Sequence, residues 1–309
     1  MDTVTLSGAE VREAVTMADA IAAVREGFLG LARGEFEMPT RTALRDGQFL
    51  VMSVHHTPTA TAITKALSLN FAGRHPAIVG TVTWSDLEHT GHLIADAAAV
   101  TALRTGAAAG VATDLLAGAD ASTLTVIGAG RQAADQVRAV HAVRPLTEVT
   151  LVARSHARAD ALATQLAAEF PALEITAGTD ADAAVESADV VCCVTTSTEP
   201  LFACGSLRPD VHVNAIGAFR PTMRELPDDL LADVGTVHID EKHAALEESG
   251  ELIHALRTGA ITESSLTELG SALATGIPPR PGRTVFKSVG VAMQDWAVAR
   301  LLAARFLRT

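Results

Sequence analysis

The chain has 309 residues, a formal net charge of −12 and a hydrophobic content of 48%. This length is enough for two domains, each with its own core. The acidic balance argues against binding to nucleic acid or to anionic membrane surfaces. The sequence contains no long uncharged apolar run, so we expect no transmembrane span. The first residues lack the basic and apolar blocks of a signal peptide, and we expect a soluble, cytoplasmic protein.

The N-terminal third predicts a helix followed by a hairpin-rich sheet. Apolar residues recur at helical spacing from Thr16 to Arg33, and Thr16 is a good capping residue. From about residue 39 to residue 95 the pattern changes to short alternating runs, which predict an antiparallel or barrel-like sheet. The runs are Phe49–Val54, Ala62–Asn70, Ile78–Trp84 and His92–Ala95. A helix rich in Gly and Ala is then expected from Ala99 to Leu116.

From Ser122 onward strands and helices alternate, which predicts a parallel sheet with right-handed crossovers. The expected strands are Leu124–Ile127, Glu148–Ala153, Glu174–Thr176, Val190–Val194, His212–Ile216 and Thr236–Ile239. The expected helices are Gln132–Val143, Arg158–Ala168 and Ala181–Glu186. The last stretch, Ser288–Leu307, predicts a further helix, and the linker between the two parts is expected near residues 117–121.

A glycine motif lies where the first of these parallel strands meets its helix. The motif is TLTVIGAGRQA, residues 123–133. Gly128 permits a tight turn, Gly130 lets the backbone approach a pyrophosphate, and the small Ala133 lets the helix pack on the strand. The free N–H groups at the helix start, where Arg131 and Gln132 lie, then face the anion. Because both strand and helix flank the glycines, we favour a dinucleotide site over an ordinary turn.

The end of the next strand indicates which dinucleotide is bound. NAD-binding units place an acidic residue there, about 20 residues after the glycines, to accept the ribose hydroxyls. This chain has Arg154, Ser155 and Arg158 instead. Arg154 is positioned to contact a 2′-phosphate, with the other two as further donors. We therefore expect NADP(H), with NAD(H) as the alternative if these arginines are merely solvated charges.

Lys65 lies at a position where the pattern of the strand leads us to expect an apolar residue. Strand side chains alternate, so Ile63, Lys65, Leu67 and Leu69 share one face, which is otherwise apolar. A charged lysine that faces a core is costly unless it is paired. The residue is therefore a candidate functional group, although an outward face or a lysine stem reaching water would also fit the pattern.

Arg104 raises the same question on the predicted helix 99–116, because its neighbours at i±3 and i±4 are small or apolar. Such an arginine either pairs with an acid or binds an anionic ligand. Arg41 precedes the sheet and cannot be judged by pattern. Together with Lys65, the two arginines could form an anion site in an otherwise acidic protein, since a guanidinium matches a carboxylate in two-point contact.

The cysteines and histidines predict no metal site. Cys192, Cys193 and Cys204 show no C-x-x-C spacing and no nearby histidine cluster, so we interpret them as core residues. The pair His55 and His56 ends a predicted strand and is more typical of a turn than of a ligand set.

The chain resembles the ornithine cyclodeaminase/mu-crystallin family over essentially its full length. The most specific match is the block Val100–Thr105 followed by the G-x-G-x-x-A motif. The further matching pieces are Met38–Arg41, Thr64–Lys65, Asn214–Gly217, Pro221–Leu226, Thr284–Gly290 and Gln294–Asp295. The resemblance implies a Rossmann domain with a doubly wound parallel sheet, plus an α+β substrate and dimerisation domain built from both chain ends. The implied boundaries are 119–285 for the first domain and 1–118 with 286–309 for the second.

The resemblance also implies roles for individual residues. Arg41, Lys65 and Arg104 would hold the carboxylate of an amino or imino acid, and the protein would be a homodimer. Lys65 either completes this carboxylate clamp or supplies a proton to the substrate nitrogen. The nicotinamide would lie near Thr195, Thr196, Ile216, Gly217, Ser288 and Val289.

One position departs from the cyclodeaminases of this family, which carry an aspartate after the Ile-Gly pair. Phe219 occupies that position, and a phenyl ring cannot pair with an ammonium as a carboxylate does. Glu225, Asp228 and Asp229 offer no clear substitute. We therefore expect a reductase of a small cyclic ketimine carboxylate, Δ1-pyrroline-2-carboxylate or Δ1-piperideine-2-carboxylate. The alternatives are an ornithine or lysine cyclodeaminase, a reductase of open-chain substrates, and a non-catalytic NADP-binding protein.

Overall fold

The structure, a computed structural model, describes residues 3–70, 78–89, 91–277 and 282–307. It divides into two compact units. Unit 1 comprises Met1–Ala107 and Val291–Thr309, and unit 2 comprises Ala108–Gly290. Unit 1 is therefore built from both ends of the chain, and unit 2 is inserted in its sequence. Within the described ranges, no helix combines the length and the apolarity needed to cross a membrane.

The elements follow in chain order. The strands are β1 (Val4–Leu6), β2 (Phe36–Glu37), β3 (Thr42–Leu44), β4 (Phe49–His56), β5 (Thr61–Leu69), β6 (Ile78–Asp86), β7 (His92–Asp96), β8 (Thr123–Ile127), β9 (Glu148–Val152), β10 (Glu174–Gly178), β11 (Val190–Cys193), β12 (His212–Ala215), β13 (Val237–Ile239), β14 (Leu266–Glu268) and β15 (Thr284–Lys287). The helices are α1 (Gly8–Ala14), α2 (Met17–Ala32), α3 (Ala97–Leu116), α4 (Ala133–Val143), α5 (His156–Glu169), α6 (Ala181–Val185), α7 (Asp228–Asp233), α8 (Lys242–Glu248), α9 (Gly250–Thr258), α10 (Leu269–Thr275) and α11 (Ala292–Phe306).

Unit 1 contains a seven-stranded sheet in the order β1-β7-β6-β5-β4-β2, with β3 also paired to β4. The pair β1–β7 is parallel, and the other pairs are antiparallel, which confirms the hairpin-rich sheet expected here. Thr16 caps α2 as predicted, since its Oγ1 accepts the Asp19 N–H at 3.1 Å. Helix α11 packs against α2 and against β4, β5 and β6. The sheet and α11 therefore enclose the buried face of β5.

Unit 2 contains an eight-stranded sheet in the order β10-β9-β8-β11-β12-β15-β13-β14, in which all paired neighbours are parallel. The six strands and three helices predicted after Ser122 are present, with ends that differ by at most two residues. The chain runs outward from β8 through β9 to β10, then returns to β11 on the other side of β8. Ligands of open α/β sheets bind at the carboxyl ends of the strands where the order reverses in this way.

Two apolar cores cover this parallel sheet. Cys192 belongs to the core that also contains Leu124 and Val126, whereas Cys193 belongs to the core that contains Val213 and Phe202. Successive side chains of a strand point to opposite faces, so the two cores lie on opposite faces of the sheet. Such a sheet with both faces covered confirms the predicted α/β class.

The C-terminal helix begins later than predicted. We expected helix from Ser288, but α11 begins at Ala292, and residues 288–291 form a loop after β15. Gly290 has a φ of 80°, which is incompatible with a right-handed helix. The four residues of β15 were not predicted as a strand, although they join β12 to β13 in the sheet.

Candidate active site

Lys65 is buried within unit 1. The alternation of β5 places it on the same buried face as Ile63 and Leu67, and its side chain is 1% exposed. In the sheet it lies opposite Met52 of β4 and Val82 of β6. The structure therefore confirms that this lysine faces the interior, so its charge requires a partner.

The partner of Lys65 comes from the first turn of α11. Lys65 Nζ donates to Asp295 Oδ2 at 2.6 Å, and the Asp295 side chain is fully buried. Arg104 on α3 lies beside the same carboxylate, with its Nε 3.4 Å from Asp295 Oδ1, and its Nη1 donates to Gln294 Oε1 at 2.6 Å. Three elements distant in sequence thus bring Lys65, Arg104, Gln294 and Asp295 together.

Sequence reasoning assigned no role to Gln294 or Asp295, although both were part of the family resemblance. Their signal in the sequence is that two polar residues occur on the apolar face of the last helix. The structure shows that both are fully buried. A negative charge in the first turn of a helix is also favoured by the helix dipole. The structure therefore adds these two residues to the candidate site.

Burial lowers the pKa of the Lys65 ammonium to about 7. The Asp295 carboxylate opposes this shift, and the positive charges of Arg104 and Arg41 reinforce it. Among these four side chains three are cationic and one is anionic, so the group has an excess of positive charge. A ligand carboxylate would balance that charge, and a lysine that titrates near neutral pH can transfer a proton.

Several buried polar atoms around this group have no hydrogen-bond partner in the described part of the chain. They are Gln294 Nε2, Thr101 Oγ1 and Thr105 Oγ1. Thr101 and Thr105 flank Arg104 on α3 at i−3 and i+1. Buried polar atoms in native proteins are normally satisfied, so these three atoms remain available to hydrogen-bond a polar ligand.

The glycine turn of unit 2 has the geometry that a dinucleotide requires. Gly128 follows β8 with a φ of 118°, and a Cβ there would lie 2.7 Å from Val194 O. A Cβ on Gly130 would meet no atom within 4 Å, so open space lies above the loop. Ala133 begins α4 and is fully buried. The turn, the open space and the close helix therefore fit a pyrophosphate at this edge.

The other residues expected at the cofactor also follow parallel strands at their carboxyl ends. Thr195 and Thr196 follow β11, Ile216 and Gly217 follow β12, Ser288 and Val289 follow β15, and Arg154, Ser155 and Arg158 follow β9. Carboxyl ends of parallel strands share one edge of the sheet, so the topology brings all these loops to the edge that carries the glycine turn. Arg154, Ser155 and Arg158 are exposed, as is Arg131, whereas Gln132 is half-buried.

A buried carboxylate to which the sequence analysis assigned no role joins two of these loops. Glu225 is fully buried, and its Oε1 accepts the Thr195 N–H at 2.6 Å and the Thr195 hydroxyl at 2.8 Å. Its Oε2 accepts the N–H groups of Gly217 and Ala218 at 2.7 and 3.0 Å. Burial, together with the nearby Glu251 carboxylate, raises the pKa of Glu225 to about 7. Glu225 is thus committed to the loops and is not available to substitute for an aspartate at Phe219.

A second buried carboxylate holds the loop after β15. Asp240 Oδ2 accepts the Ser288 hydroxyl at 2.8 Å and the N–H groups of Val289 and Gly290 at 3.0 and 2.7 Å. Burial raises the pKa of this carboxyl above its usual range. These hydrogen bonds hold residues 288–290 in place, and the positive φ of Gly290 keeps them out of the helix.

The remaining candidates, which are His56 and the three cysteines, are buried in packed parts of the structure. His56 is buried, contrary to the exposed turn expected for it, and its ring lies 4.3 Å from that of Trp296. All three cysteines are buried in the cores of unit 2. In the described ranges no group of three or more His, Cys, Asp or Glu side chains is arranged to hold a metal ion.

A parallel sheet with a glycine turn at its switch point defines an α/β protein of the NAD-binding class. The model of the ornithine cyclodeaminase/mu-crystallin family matches residues 1–309, and this chain belongs to that family.

Relatives with different activities support this assignment. The chain is 35% identical over 322 residues to a Delta(1)-pyrroline-2-carboxylate reductase of Bacillus cereus, covering 96% of this chain and 94% of the relative. It is 35% identical over 303 residues to the L-lysine cyclodeaminase of Streptomyces rapamycinicus, covering 91% and 84%. The structure of Thermococcus litoralis Delta(1)-pyrroline-2-carboxylate reductase in complex with NADH and L-proline has a TM-score of 0.92 and 28% identity, covering 98% and 97%.

Proposed function

We propose that this protein is an imine-reducing oxidoreductase whose substrate is a small cyclic ketimine carboxylate. The candidate substrates are Δ1-pyrroline-2-carboxylate and Δ1-piperideine-2-carboxylate, and the products are the corresponding L-imino acids. The observation that carries the proposal is the buried group of Lys65, Arg104 and Asp295, in which positive charge exceeds negative charge. The pyrroline-2-carboxylate reductase relatives support the same substrate class.

The basic side chains of unit 1 bind and activate the substrate in this proposal. Arg41 and Arg104 bind its carboxylate, because a guanidinium offers two parallel N–H groups to the two oxygens. Lys65 is the catalytic residue and donates its proton to the imine nitrogen, which the lowered pKa of its ammonium favours. Asp295 orients Lys65 for this transfer through the 2.6 Å hydrogen bond. The C=N bond becomes CH–NH when carbon receives a hydride and nitrogen receives this proton.

A nicotinamide dinucleotide supplies the hydride when it is bound. The residues that would hold its pyrophosphate are Gly128, Gly130, Arg131, Gln132 and Ala133. The loops carrying Thr195, Thr196, Ile216, Gly217, Ser288 and Val289 would hold the nicotinamide half. The open space above Gly130 supports the first assignment, and the shared sheet edge supports the second.

We expect the substrate carboxylate to be essential for efficient reduction. Removing it leaves the buried cations without their ligand, so kcat/KM for Δ1-pyrroline should be about a hundredfold or more below that for Δ1-pyrroline-2-carboxylate. Steady-state oxidation of the reduced cofactor measures both values. In Arg104→Gln the difference between the two imines should shrink, because one carboxylate ligand is gone. Equal rates on the two imines in the unaltered protein would contradict the carboxylate clamp.

We propose NADP(H) as the preferred cofactor, with Arg154, Ser155 and Arg158 at the 2′-phosphate and NAD(H) as the alternative. These residues are exposed at the carboxyl end of β9, where the adenosine ribose would lie. Arg154→Glu should weaken NADPH binding about tenfold or more, with little change for NADH, because a charge-assisted hydrogen bond to phosphate is replaced by repulsion.

Fluorescence titration with the two reduced cofactors measures this effect. Arg257→Glu is the matched control, since it reverses an exposed arginine in the last turn of α9, outside the loops assigned to the cofactor. It should leave the ratio of the two affinities unchanged. Equal losses of NADPH and NADH affinity in Arg154→Glu would remove Arg154 from the 2′-phosphate site.

The second candidate function is cyclodeamination of ornithine or lysine, which the L-lysine cyclodeaminase relative favours. Phe219 opposes it, because this position carries a phenyl ring and no carboxylate. The ring is half-buried, and its centre lies 5.6 Å from the Arg220 guanidinium. Glu225 is bound to backbone N–H groups and does not replace it.

We further propose that residues 1–118 with 286–309 form the substrate and dimerisation domain and that residues 119–285 form the dinucleotide domain. Unit 1 presents three large apolar side chains that are each more than half exposed, Leu44, Val79 and Leu87. Burying them against a second copy of the chain would remove their apolar surface from water.

A further inference from the structure

The loops after β11, β12 and β15 are joined by a buried network of charged side chains in unit 2. Its members are Glu225, Glu251, Lys287 and Asp240, and each of these residues is fully buried. Lys287 Nζ donates to Ala218 O at 2.5 Å and lies 3.1 Å from Glu251 Oε1. Glu251 Oε2 in turn accepts the Glu225 N–H at 3.2 Å. Buried charges are costly, so four of them at one sheet edge require an explanation.

The hydrogen bonds of Glu225 are made to the loops themselves. Glu225 accepts three backbone N–H groups and one hydroxyl, and these come from two different loops. Such short contacts to a carboxylate are among the stronger hydrogen bonds in proteins. They fix Thr195 after β11 relative to Gly217 and Ala218 after β12. One side chain thereby sets the relative position of two loops.

Steric contacts make this arrangement tight. A Cβ on Gly217 would lie 2.2 Å from Thr195 O and 2.5 Å from Glu225 Oε1, so only glycine fits between them. Val194, which precedes Thr195, lies against Gly128 of the dinucleotide turn. Val194 itself is held by β8, since its N–H donates to Ile127 O at 2.9 Å, so its contact with the glycine turn does not depend on Glu225.

We propose that Glu225 is a positioning residue, braced by Lys287, that fixes the loops after β11 and β12 in the conformation that receives the nicotinamide half of the cofactor. This inference rests on the proposed function, because it assumes that the sheet edge binds a nicotinamide dinucleotide. Glu225 itself touches neither cofactor nor substrate, since its oxygens are occupied by the loop donors.

The proposal predicts a selective loss of binding in Glu225→Gln. The amide presents an NH2 group to one of the two sets of donors, so the loops lose part of their support. Affinity for NADH and NADPH should fall about tenfold to a hundredfold, the effect of losing hydrogen bonds to a charged group. Affinity for ADP-ribose, which lacks the nicotinamide, should change by less than about threefold. Isothermal titration calorimetry measures all three constants.

Asp189→Asn is the matched control. Asp189 precedes β11 at the opposite edge of the same sheet, and its carboxylate likewise accepts two backbone N–H groups, from Ser122 and Thr123. This substitution makes the same chemical change but should leave the affinities for NADH and ADP-ribose in their original ratio. A general loosening of unit 2 would instead lower both affinities in both variants.

A second variant keeps the proposal testable if Glu225→Gln does not fold. Lys287→Met removes the brace at Ala218 O, and Lys287 is too buried to contact a cofactor. It should show the same selective loss for NADH. Equal losses for NADH and ADP-ribose, no loss for either, or failure of both variants to fold would overturn the positioning role. If the unaltered protein binds neither NADH nor NADPH, the proposed function is what fails.

Discussion

Replacing Lys65 with alanine should reduce kcat/KM for Δ1-pyrroline-2-carboxylate by about a hundredfold to ten-thousandfold, the usual range for loss of a positioned proton donor. The side chain is 1% exposed and hydrogen-bonded to Asp295, so no other ammonium replaces it at that point. Binding of NADPH should be retained, because the glycine turn belongs to unit 2. Steady-state kinetics and a separate nucleotide titration distinguish the two effects. Turnover close to that of the unaltered protein would remove Lys65 from the mechanism.

The same lysine should determine how the reaction depends on pH. Burial lowers the pKa of its ammonium from 10.5 to about 7, with Arg104 and Arg41 acting in the same direction and Asp295 acting against them. The protonated form is the proton donor and is present below this pKa. The kcat/KM profile, which reports the free enzyme, should therefore fall as pH rises through about 7. In Lys65→Ala the residual kcat/KM should no longer fall as pH rises through about 7.

Replacing Asp295 with alanine should destabilise unit 1 by about 3–5 kcal/mol, the typical result of removing one partner of a buried ion pair. Lys65 and Arg104 would remain buried without the carboxylate that both approach. The two tryptophans of the chain, Trp84 and Trp296, both belong to unit 1, so their fluorescence during urea unfolding follows this unit. A loss below about 1 kcal/mol would show that the ion pair is not needed for stability.

Asp295→Asn is the matched variant for this measurement. It retains the shape of the side chain and an oxygen that accepts from Lys65 Nζ, so the stability loss should be smaller than in Asp295→Ala. Activity should still fall, because the amide holds the ammonium less firmly. A larger stability loss in Asp295→Asn than in Asp295→Ala would contradict the assigned pairing, since the alanine variant removes every contact of the carboxylate.

Local patterns predicted much of the fold. The alternation of apolar residues around Lys65 correctly placed this lysine on the buried face of β5, because side chains in a strand point alternately to its two faces. The succession of strand, glycine turn and helix also located one edge of the parallel sheet. Each of these three features depends on residues that are neighbours in the chain.

Contacts between distant residues could not be predicted in this way. Asp295 lies 230 positions from Lys65, and its role becomes visible only when α11 lies on the sheet. Glu225 was considered as a substitute for an aspartate, whereas the structure shows it bound to two loops. The predicted start of α11 at Ser288 was wrong because Gly290 adopts a φ of 80°, and the Asp240 carboxylate, 50 positions away in the chain, holds the loop that contains it.

The most direct test follows NADPH and NADH absorbance after addition of Δ1-pyrroline-2-carboxylate, with ammonia measured in parallel from L-ornithine and L-lysine. Our account predicts cofactor oxidation with formation of L-proline in equal amount and no ammonia from either amino acid. Ammonia released without net change in the cofactor would contradict it, and would show that cyclodeamination proceeds with Phe219 in place of the aspartate.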